Sequence, residues 1–130
     1  MFDQSMKILV VDDFQVMRKV VITCLSQLGY KNIEEATDGV EAFDLMQKQE
    51  FDFVITDWEM PNMSGIELLR EIRKSEEFKK IPVMMVTAEG LQENVIEAIR
   101  AGVNNYIVKP IDVEALREKM MKIFEELNQG

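Results

Sequence analysis

The sequence predicts an α/β fold in which a five-stranded, doubly wound parallel sheet carries helices on both faces. Three apolar runs, at 8–11, 53–56 and 83–86, lack the alternation of a half-exposed strand. Unbroken apolar runs of this length are typical of strands that are covered on both sides. These three runs and two weaker ones are each followed, after a short connection, by a helical pattern. Strands and helices that alternate in this way indicate a parallel sheet with crossover helices.

The first strand and the first helix are the most clearly marked. After 8–11, one helical face carries the apolar residues Met17, Val20, Val21, Cys24, Leu25 and Leu28. Gly29 is placed to end this helix, because glycine readily adopts the left-handed conformation found there. Cys24 is the one cysteine of the chain. It cannot form an internal disulfide, and we expect a small buried side chain.

Starting signals mark the second and third helices. A weaker run at 32–36 contains two glutamates and predicts an edge strand. Asp38 with Glu41, and Ser64 with Glu67, have the spacing of capping boxes. The sequence therefore predicts that one helix begins after Asp38 and another after Ser64.

The last third of the chain predicts a fourth helix, a second edge strand and a fifth helix. The fourth helix ends near Gly102, and its expected buried stripe is Val95, Ile96, Ile99 and Val103. The fifth strand is predicted at 106–108. Asp112 can cap the last helix, whose expected stripe is Val113, Leu116, Met120, Ile123 and Leu127.

Composition and charge exclude several classes of function. The 130 residues carry a net charge of −9, which disfavours non-specific binding to nucleic acid or to an anionic membrane. The chain contains no histidine, which excludes Ser-His-Asp and Cys-His nucleophiles and His-ligated metals. Its start is too short and acidic for a signal peptide, and no apolar run reaches membrane length. We expect a cytoplasmic protein.

Polar side chains follow the predicted strands where each strand ends. Asp12 and Asp13 follow the first, and Asp57, Thr87 and Lys109 lie at the ends of the third, fourth and fifth. In an open α/β sheet, ligands bind outside the carboxyl ends of the strands. We therefore expect these five side chains, which are far apart in sequence, to form one site.

Three carboxylates at one edge need a counter-charge. At about 4 Å, each pair of charges repels by roughly 1 kcal/mol in water and by about 4 kcal/mol at an effective dielectric constant near 20. Lys109 supplies one positive charge. Oxygen ligands without histidine or cysteine favour Mg²⁺ as a second. Mg²⁺ often binds through one or two carboxylates together with phosphate oxygens, so the pattern indicates phosphoryl chemistry.

Asp57 is the predicted nucleophile, because a carboxylate can accept a phosphoryl group as an aspartyl-phosphate. Mg²⁺, Lys109 and the Thr87 hydroxyl would each neutralise or hydrogen-bond one phosphoryl oxygen. Taken singly, Asp12 or Asp13 is typical of a helix cap, Thr87 of a strand-end hydroxyl and Lys109 of a solvated lysine. Their occurrence together at strand ends favours the site.

Four segments resemble the receiver domains of two-component response regulators, and in particular the stand-alone receivers of chemotaxis. They are Val-Val-Asp-Asp-Phe at 10–14, Asp-Trp-Glu-Met-Pro-Asn-Met at 57–63, Met-Val-Thr-Ala-Glu at 85–89 and Tyr-Ile-Val-Lys-Pro at 106–110. The resemblance extends over about 7–127.

The resemblance implies a flavodoxin-like strand order, 2-1-3-4-5, and a single receiver domain over 1–130. It implies that Asp57 accepts a phosphoryl group from a phosphohistidine on a chemotaxis-type histidine kinase. Thr87 and Tyr106 would form a switch pair, although Tyr106 on an edge strand could equally serve packing alone. The implied Mg²⁺ ligands are Asp13, Asp57 and the backbone carbonyl of Glu59, together with Asp12, which would act directly or through a water molecule. The Lys109–Pro110 peptide bond is expected to be cis.

The implied partner is the flagellar motor switch, bound by the surface over about 92–128; we expect a monomer, and a phosphatase is possible. Three features depart from the common chemotaxis pattern: Glu59 replaces an asparagine, 90–92 is less basic, and Ile111 replaces an aromatic residue. Glu59 adds a negative charge beside the site and should slow phosphorylation by small anionic donors. The other two leave the partner's identity open.

Three alternative functions remain. The chain could be a phosphorelay intermediate or phosphate sink without motor output. It could be a Mg²⁺-dependent phosphohydrolase, which would need Glu59 in an unusual acid/base role. A flavin carrier is disfavoured, because Asp12 and Asp13 stand where a phosphate cradle needs hydroxyls and amides.

Overall fold

Five parallel strands form one sheet in the order β2-β1-β3-β4-β5. The computed structural model describes residues 3–88 and 92–129. The strands are β1 (Ile8–Val11), β2 (Ile33–Ala36), β3 (Phe53–Asp57), β4 (Val83–Thr87) and β5 (Asn105–Val108). The helices are α1 (Gln15–Gln27), α2 (Gly39–Lys48), α3 (Gly65–Lys74), α4 (Gln92–Ala101) and α5 (Val113–Gln129). The predicted fold class and strand order are confirmed.

The register of the sheet places all the strand ends of interest at one edge. Val11 is paired with Ala36 on one side and with Thr56 on the other. Further along the sheet, Asp57 is paired with Val86, and Thr87 with Val108. Asp12 and Lys109, which directly follow β1 and β5, therefore lie at the same edge as Asp57 and Thr87.

The three central strands are buried on both faces, as their unbroken apolar sequences predict. Successive residues of a strand face opposite sides, so β1 sends Ile8 and Val10 into the cluster beneath α1 and α5. Leu9 and Val11 enter a second cluster beneath α2, α3 and α4. This burial on two sides holds the central strands inside the protein, so their carboxyl ends lie together at one edge of the sheet.

Side-chain caps begin the helices where the sequence predicts them. Ser64 and Glu67 form a reciprocal capping box at the start of α3. Asp112 Oδ1 accepts a hydrogen bond from Ala115 N at 2.8 Å at the start of α5. Gly29 follows α1 with a φ of 97°, in the left-handed region that glycine favours.

The start of α2 differs in one detail from a capping box. Asp38 Oδ1 accepts from Glu41 N at 2.8 Å, as predicted. The Glu41 carboxylate, however, accepts from Thr37 N at 2.7 Å, so the return bond binds the residue before the cap.

The predicted stripe of α4 is wrong at two positions. Ile96 and Ile99 are 40% and 61% exposed, whereas Ala98 is 1% exposed. Val95 and Val103 are partly buried. The small Ala98 side chain lets the helix lie close to the sheet, and this rotates the two isoleucines toward solvent.

The end of α5 differs in the same way. Leu127 is 38% exposed, and Phe124 is buried in its place. Phe124 packs edge-to-face on Phe53 with ring centroids 5.8 Å apart, so the last apolar contact with the sheet is made one turn earlier than predicted. Within the described ranges, no helix is long and apolar enough to cross a membrane.

Candidate functional site

Three carboxylates meet at the carboxyl edge of the sheet. Asp12 directly follows β1, Asp13 lies in the turn before α1, and Asp57 is the last residue of β3. One oxygen from each lies within 4.8 Å of one from each of the others. Asp12 and Asp57 are buried, and Asp13 is exposed. The predicted acidic cluster is therefore present and open on the Asp13 side.

Lys109 places a positive charge against the most central of these acids. Its Nζ lies 3.2 Å from Asp57 Oδ1, and both side chains are largely buried. Lys109 N donates a hydrogen bond to Thr87 O at 2.8 Å, which ties the end of β5 to the end of β4. The Lys109–Pro110 peptide bond is cis, as expected.

Burial makes the acidic cluster unfavourable when all its members are ionised. Desolvation raises the pKa of Asp12 to about 6, although the Phe14 N–H group opposes the shift. Desolvation also raises the pKa of Asp57, although the neighbouring Lys109 lowers it. One ammonium group therefore does not compensate the three carboxylates, and the pocket favours a proton or a cation.

The ligand chemistry of the pocket fits Mg²⁺. The oxygens of Asp12, Asp13 and Asp57 already lie close enough to share one ion. Mg²⁺ prefers oxygen ligands and keeps several waters, and the exposed Asp13 leaves one side open for them. A divalent ion would also stabilise the ionised form of the two carboxylates whose pKa values desolvation raises.

Gly65 allows α3 to approach the end of β3, a role that no sequence pattern above predicts. A Cβ atom on Gly65 would lie 2.0 Å from Asp57 O. Gly65 N also donates to Trp58 O at 2.8 Å. The available signal was a glycine directly after the Ser64 cap, where a better helix former would otherwise be favoured.

Glu59 lies two residues after Asp57 with an exposed side chain. The same loop contains Asn62, whose φ of 67° places it in the left-handed region. Asn62 Nδ2 donates to Asp38 Oδ2 at 2.8 Å, so the loop is anchored to the start of α2. The role of the Glu59 carbonyl as a metal ligand stays a prediction.

Thr87 and Tyr106 line one small cavity together with Trp58, Met85, Asn94, Val95 and Ala98. Its volume is about 10 Å³, which is room for no more than one water molecule. Thr87 is buried and Tyr106 is partly exposed. Lys119 Nζ lies 5.1 Å from the centroid of the Tyr106 ring. The fold thus brings the two predicted switch residues to one space.

Arg18 contacts the loop that contains Asp12 and Asp13. The sequence patterns above do not predict this contact. Its Nη1 donates to Asp12 O at 2.8 Å, and its Nε pairs with Glu35 Oε1 at 2.9 Å. The signal available in the sequence was a cation near the start of α1, where the helix dipole disfavours positive charge.

Comparison of the amino-acid sequence with known proteins identifies its family. The model of the response regulator receiver domain matches residues 8–121. The chemotaxis protein CheY-3 of Vibrio cholerae is 54% identical over 125 residues, which cover 96% of each chain. The chemotaxis protein CheY of Pseudomonas aeruginosa is 50% identical over 123 residues, 95% of this chain and 99% of that protein.

Structural comparisons agree. The chemotaxis response regulator CheY4 of V. cholerae is 34% identical with a TM-score of 0.84, covering 92% of this chain and 98% of that one. A receiver domain of the P. aeruginosa sensor histidine kinase PA1611, with a magnesium ion coordinated in its active site cleft, is 29% identical with a TM-score of 0.83; the match covers 93% and 98% of the two chains. This chain therefore belongs to the response regulator receiver domain family, within which it is a signalling protein of the chemotaxis CheY type.

Proposed function

We propose that this protein is a chemotaxis response regulator that accepts a phosphoryl group on Asp57 from the phosphohistidine of a chemotaxis-type kinase. The observation that carries the proposal is the geometry around Asp57. Its carboxylate lies 3.2 Å from the Lys109 ammonium and within a cluster of three acids. The chain has no histidine, so the donor must be a group on another molecule.

The proposed transfer uses Asp57 as the nucleophile. A carboxylate oxygen attacks phosphorus, the bond from phosphorus to the donor nitrogen breaks, and the imidazole leaves with that electron pair. Lys109 lies where its ammonium can neutralise a phosphoryl oxygen on Asp57. The Thr87 hydroxyl, at the end of the adjacent strand, can donate a hydrogen bond to another. When bound by Asp12, Asp13, Asp57 and the Glu59 carbonyl, Mg²⁺ would supply further neutralisation of the transferring group.

The proposed response to phosphorylation is a coupled movement of Thr87 and Tyr106. The cavity between them holds no more than one water. The Tyr106 ring can therefore turn further inward only as Thr87 vacates part of that space. A Thr87 hydroxyl drawn toward the phosphoryl group would leave it, so modification of Asp57 would change the exposure of Tyr106.

The surface formed by α4, β5 and α5 is the proposed binding face for the flagellar motor switch. Ile96, Ile99 and Val108 are 40%, 61% and 40% exposed on its first two elements, and Tyr106 lies on the same strand as Val108. This surface would report the switch state to a partner. The setting is the cytoplasm, where the protein would act as a monomer and a phosphatase could reset it.

Phosphorylation is tested by incubating the protein with Mg²⁺ and a small phosphoryl donor such as acetyl phosphate. We expect a mass gain of one phosphoryl group, labile to base, and quenching of Trp58 fluorescence, because Trp58 adjoins Asp57. Asp57→Asn should show neither the adduct nor the donor-dependent quenching. A wild-type protein that never gains the adduct would refute the proposal.

The output is tested by capture of the motor switch protein with phosphorylated and unmodified protein. Retention by the phosphorylated form alone supports motor control. Rapid phosphoryl transfer to a second histidine protein, without retention of the switch protein, would show a relay intermediate or phosphate sink instead.

A further inference from the structure

We infer that Arg18 is a positioning residue for the loop that carries Asp12 and Asp13, and that Glu35 on the edge strand orients the Arg18 guanidinium. The inference rests on the proposed Mg²⁺ site, because its consequence is the affinity of that site. Arg18 does not touch the ion in this scheme; it sets the geometry of the residues that do.

The contacts of Arg18 connect two strand ends. Side chains of a helix tilt toward its N-terminus, so Arg18, near the start of α1, reaches back over the preceding loop. Nη1 donates to Asp12 O at 2.8 Å, and Nε donates to Glu35 Oε1 at 2.9 Å. The Arg18 side chain is only 12% exposed. A largely buried guanidinium group therefore joins the residue that follows β1 to Glu35, near the end of β2.

Asp12 is fixed through three different groups. Its N–H donates to Ala36 O at 3.1 Å, and its Oδ1 accepts from Phe14 N at 2.9 Å. Its carbonyl is the group that Arg18 holds. The loop is thus ordered during folding, so less conformational entropy is lost when a cation binds. Without the Arg18 contact, the loop should be less ordered before the cation binds. Binding should then cost more conformational entropy.

Charge and geometry predict opposite effects of removing Arg18. A positive charge near an acidic cluster opposes the binding of a second cation, so electrostatics alone predicts that Arg18→Met binds Mg²⁺ more tightly. Positioning predicts weaker binding. The sign of the change therefore distinguishes the two roles.

The shape of the side chain should matter as well as its charge. The guanidinium bonds two acceptors at fixed angles, whereas a lysine ammonium at the end of a flexible chain does not reproduce that fork. We expect Arg18→Lys to recover only part of the affinity lost in Arg18→Met. Glu35→Ala should produce a smaller loss, because the guanidinium remains but is no longer oriented.

The experiment is a titration with MgCl₂ alone, followed by Trp58 fluorescence and by calorimetry. We expect the Kd of Arg18→Met to rise about tenfold, at the lower end of the effects of outer-shell residues on metal affinity. Arg117→Met is the matched control, because Arg117 also pairs with a glutamate, Glu114 at 2.9 Å, but on α5. This control makes the same charge change and should keep the wild-type Kd.

Hydrogen exchange of the Phe14 amide in a chelator gives a second measurement that needs no metal. This amide is bonded to Asp12 Oδ1, and its exchange should accelerate in Arg18→Met but not in Arg117→Met. If Arg18→Met does not fold, the test uses Arg18→Lys, which keeps the charge, and we expect weaker Mg²⁺ binding at an unchanged unfolding midpoint.

The outcomes separate this inference from the proposed function. A Kd for Arg18→Met equal to or below that of the wild type would overturn the positioning role and leave the Mg²⁺ site standing. The same holds if Arg18→Met cannot be folded and Arg18→Lys binds Mg²⁺ as tightly as the wild type. A wild-type protein that does not bind Mg²⁺ would overturn both.

Discussion

Asp57 carries a charge that the folded protein disfavours in the absence of a cation. Its burial raises its pKa even though Lys109 lies beside it. The same feature serves its proposed chemistry, because a partly desolvated carboxylate is a stronger nucleophile toward phosphorus than a fully hydrated one. Burial of the Asp57 carboxylate therefore lowers the stability of the metal-free protein and raises the reactivity of the residue.

Asp57→Asn should abolish phosphorylation at the main site and stabilise the metal-free protein by a few degrees in its melting temperature. The amide has nearly the same shape but removes one charge from the acidic cluster. Thermal unfolding in a chelator measures the gain. Glu50→Gln, at an exposed acid before β3, is the control, and an equal gain there would assign the effect to net charge.

Glu59→Asn should accelerate phosphorylation by a small anionic donor about two- to fivefold, since one exposed charge near a site is worth a fraction of a kcal/mol up to about 1 kcal/mol. Initial rates at saturating Mg²⁺ would show it. Glu50→Asn removes another exposed charge, which lies before β3, and should leave the rate unchanged. Identical rates for wild type and Glu59→Asn would contradict the prediction.

At the scale of elements, the site depends on how closely helices approach strand ends. The first residue of α3, Gly65, packs against the backbone of Asp57, and the first residue of α2, Gly39, packs against Met63. The α3 contact is made with backbone and the α2 contact partly with a flexible side chain. The two glycines therefore offer the same substitution in different surroundings.

Gly65→Ala should destabilise the fold by about 1–3 kcal/mol and weaken Mg²⁺ binding. Its Cβ would lie 2.0 Å from Asp57 O, so α3 or β3 must shift. Gly39→Ala places a Cβ 2.7 Å from Met63 Cγ and 2.9 Å from Met63 O, which should cost less. Urea denaturation measures the free energy of unfolding of both variants. Equal values for Gly65→Ala and Gly39→Ala would show that the contact between α3 and β3 has room for a Cβ atom.

At the scale of the whole molecule, the acidic edge makes stability depend on pH. Asp12 is 4% exposed, and its pKa is about 6 in the folded protein against 3.8 for the free side chain. A raised carboxyl pKa means that the folded state holds the proton more firmly than the unfolded state. The metal-free fold should therefore lose stability as the pH rises from about 4 through 6.

The expected loss between pH 4 and pH 7 is at most about 3 kcal/mol from Asp12, at 1.36 kcal/mol per pKa unit. Below pH 4 the trend reverses, because hydrogen bonds at the α2 cap lower the pKa of Asp38. Chemical denaturation in a chelator, repeated at pH values above and below 4, measures the free energy of unfolding along both trends. Asp12→Asn should flatten the slope above pH 4, and an unchanged slope would contradict the assignment to Asp12.

Much of the fold could be predicted because strands that are buried on both faces have unbroken apolar sequences. The runs at 8–11, 53–56 and 83–86 contain no charged residue, since any charge there would be buried. Helix patterns were less reliable. In α4 the bulky Ile96 and Ile99 suggested the buried face, whereas the sheet accommodates the smaller Ala98. Hydrophobicity indicates which side chains can be buried, but the space between the helix and the sheet determines which of them are buried.

The sequence by itself determined the alternation of strands and helices and the residues that end each strand, because a parallel sheet collects the carboxyl ends of its strands at one edge. Asp12, Asp57, Thr87 and Lys109 could be assigned to one site for that reason alone. Only the tertiary structure decided which residues support them. The contacts of Arg18 with Glu35 and with Asp12 O, and of Gly65 with the Asp57 backbone, join segments whose separation in the chain carries no periodic signal. Such contacts depend on close approach in three dimensions, which hydrophobic patterns do not encode.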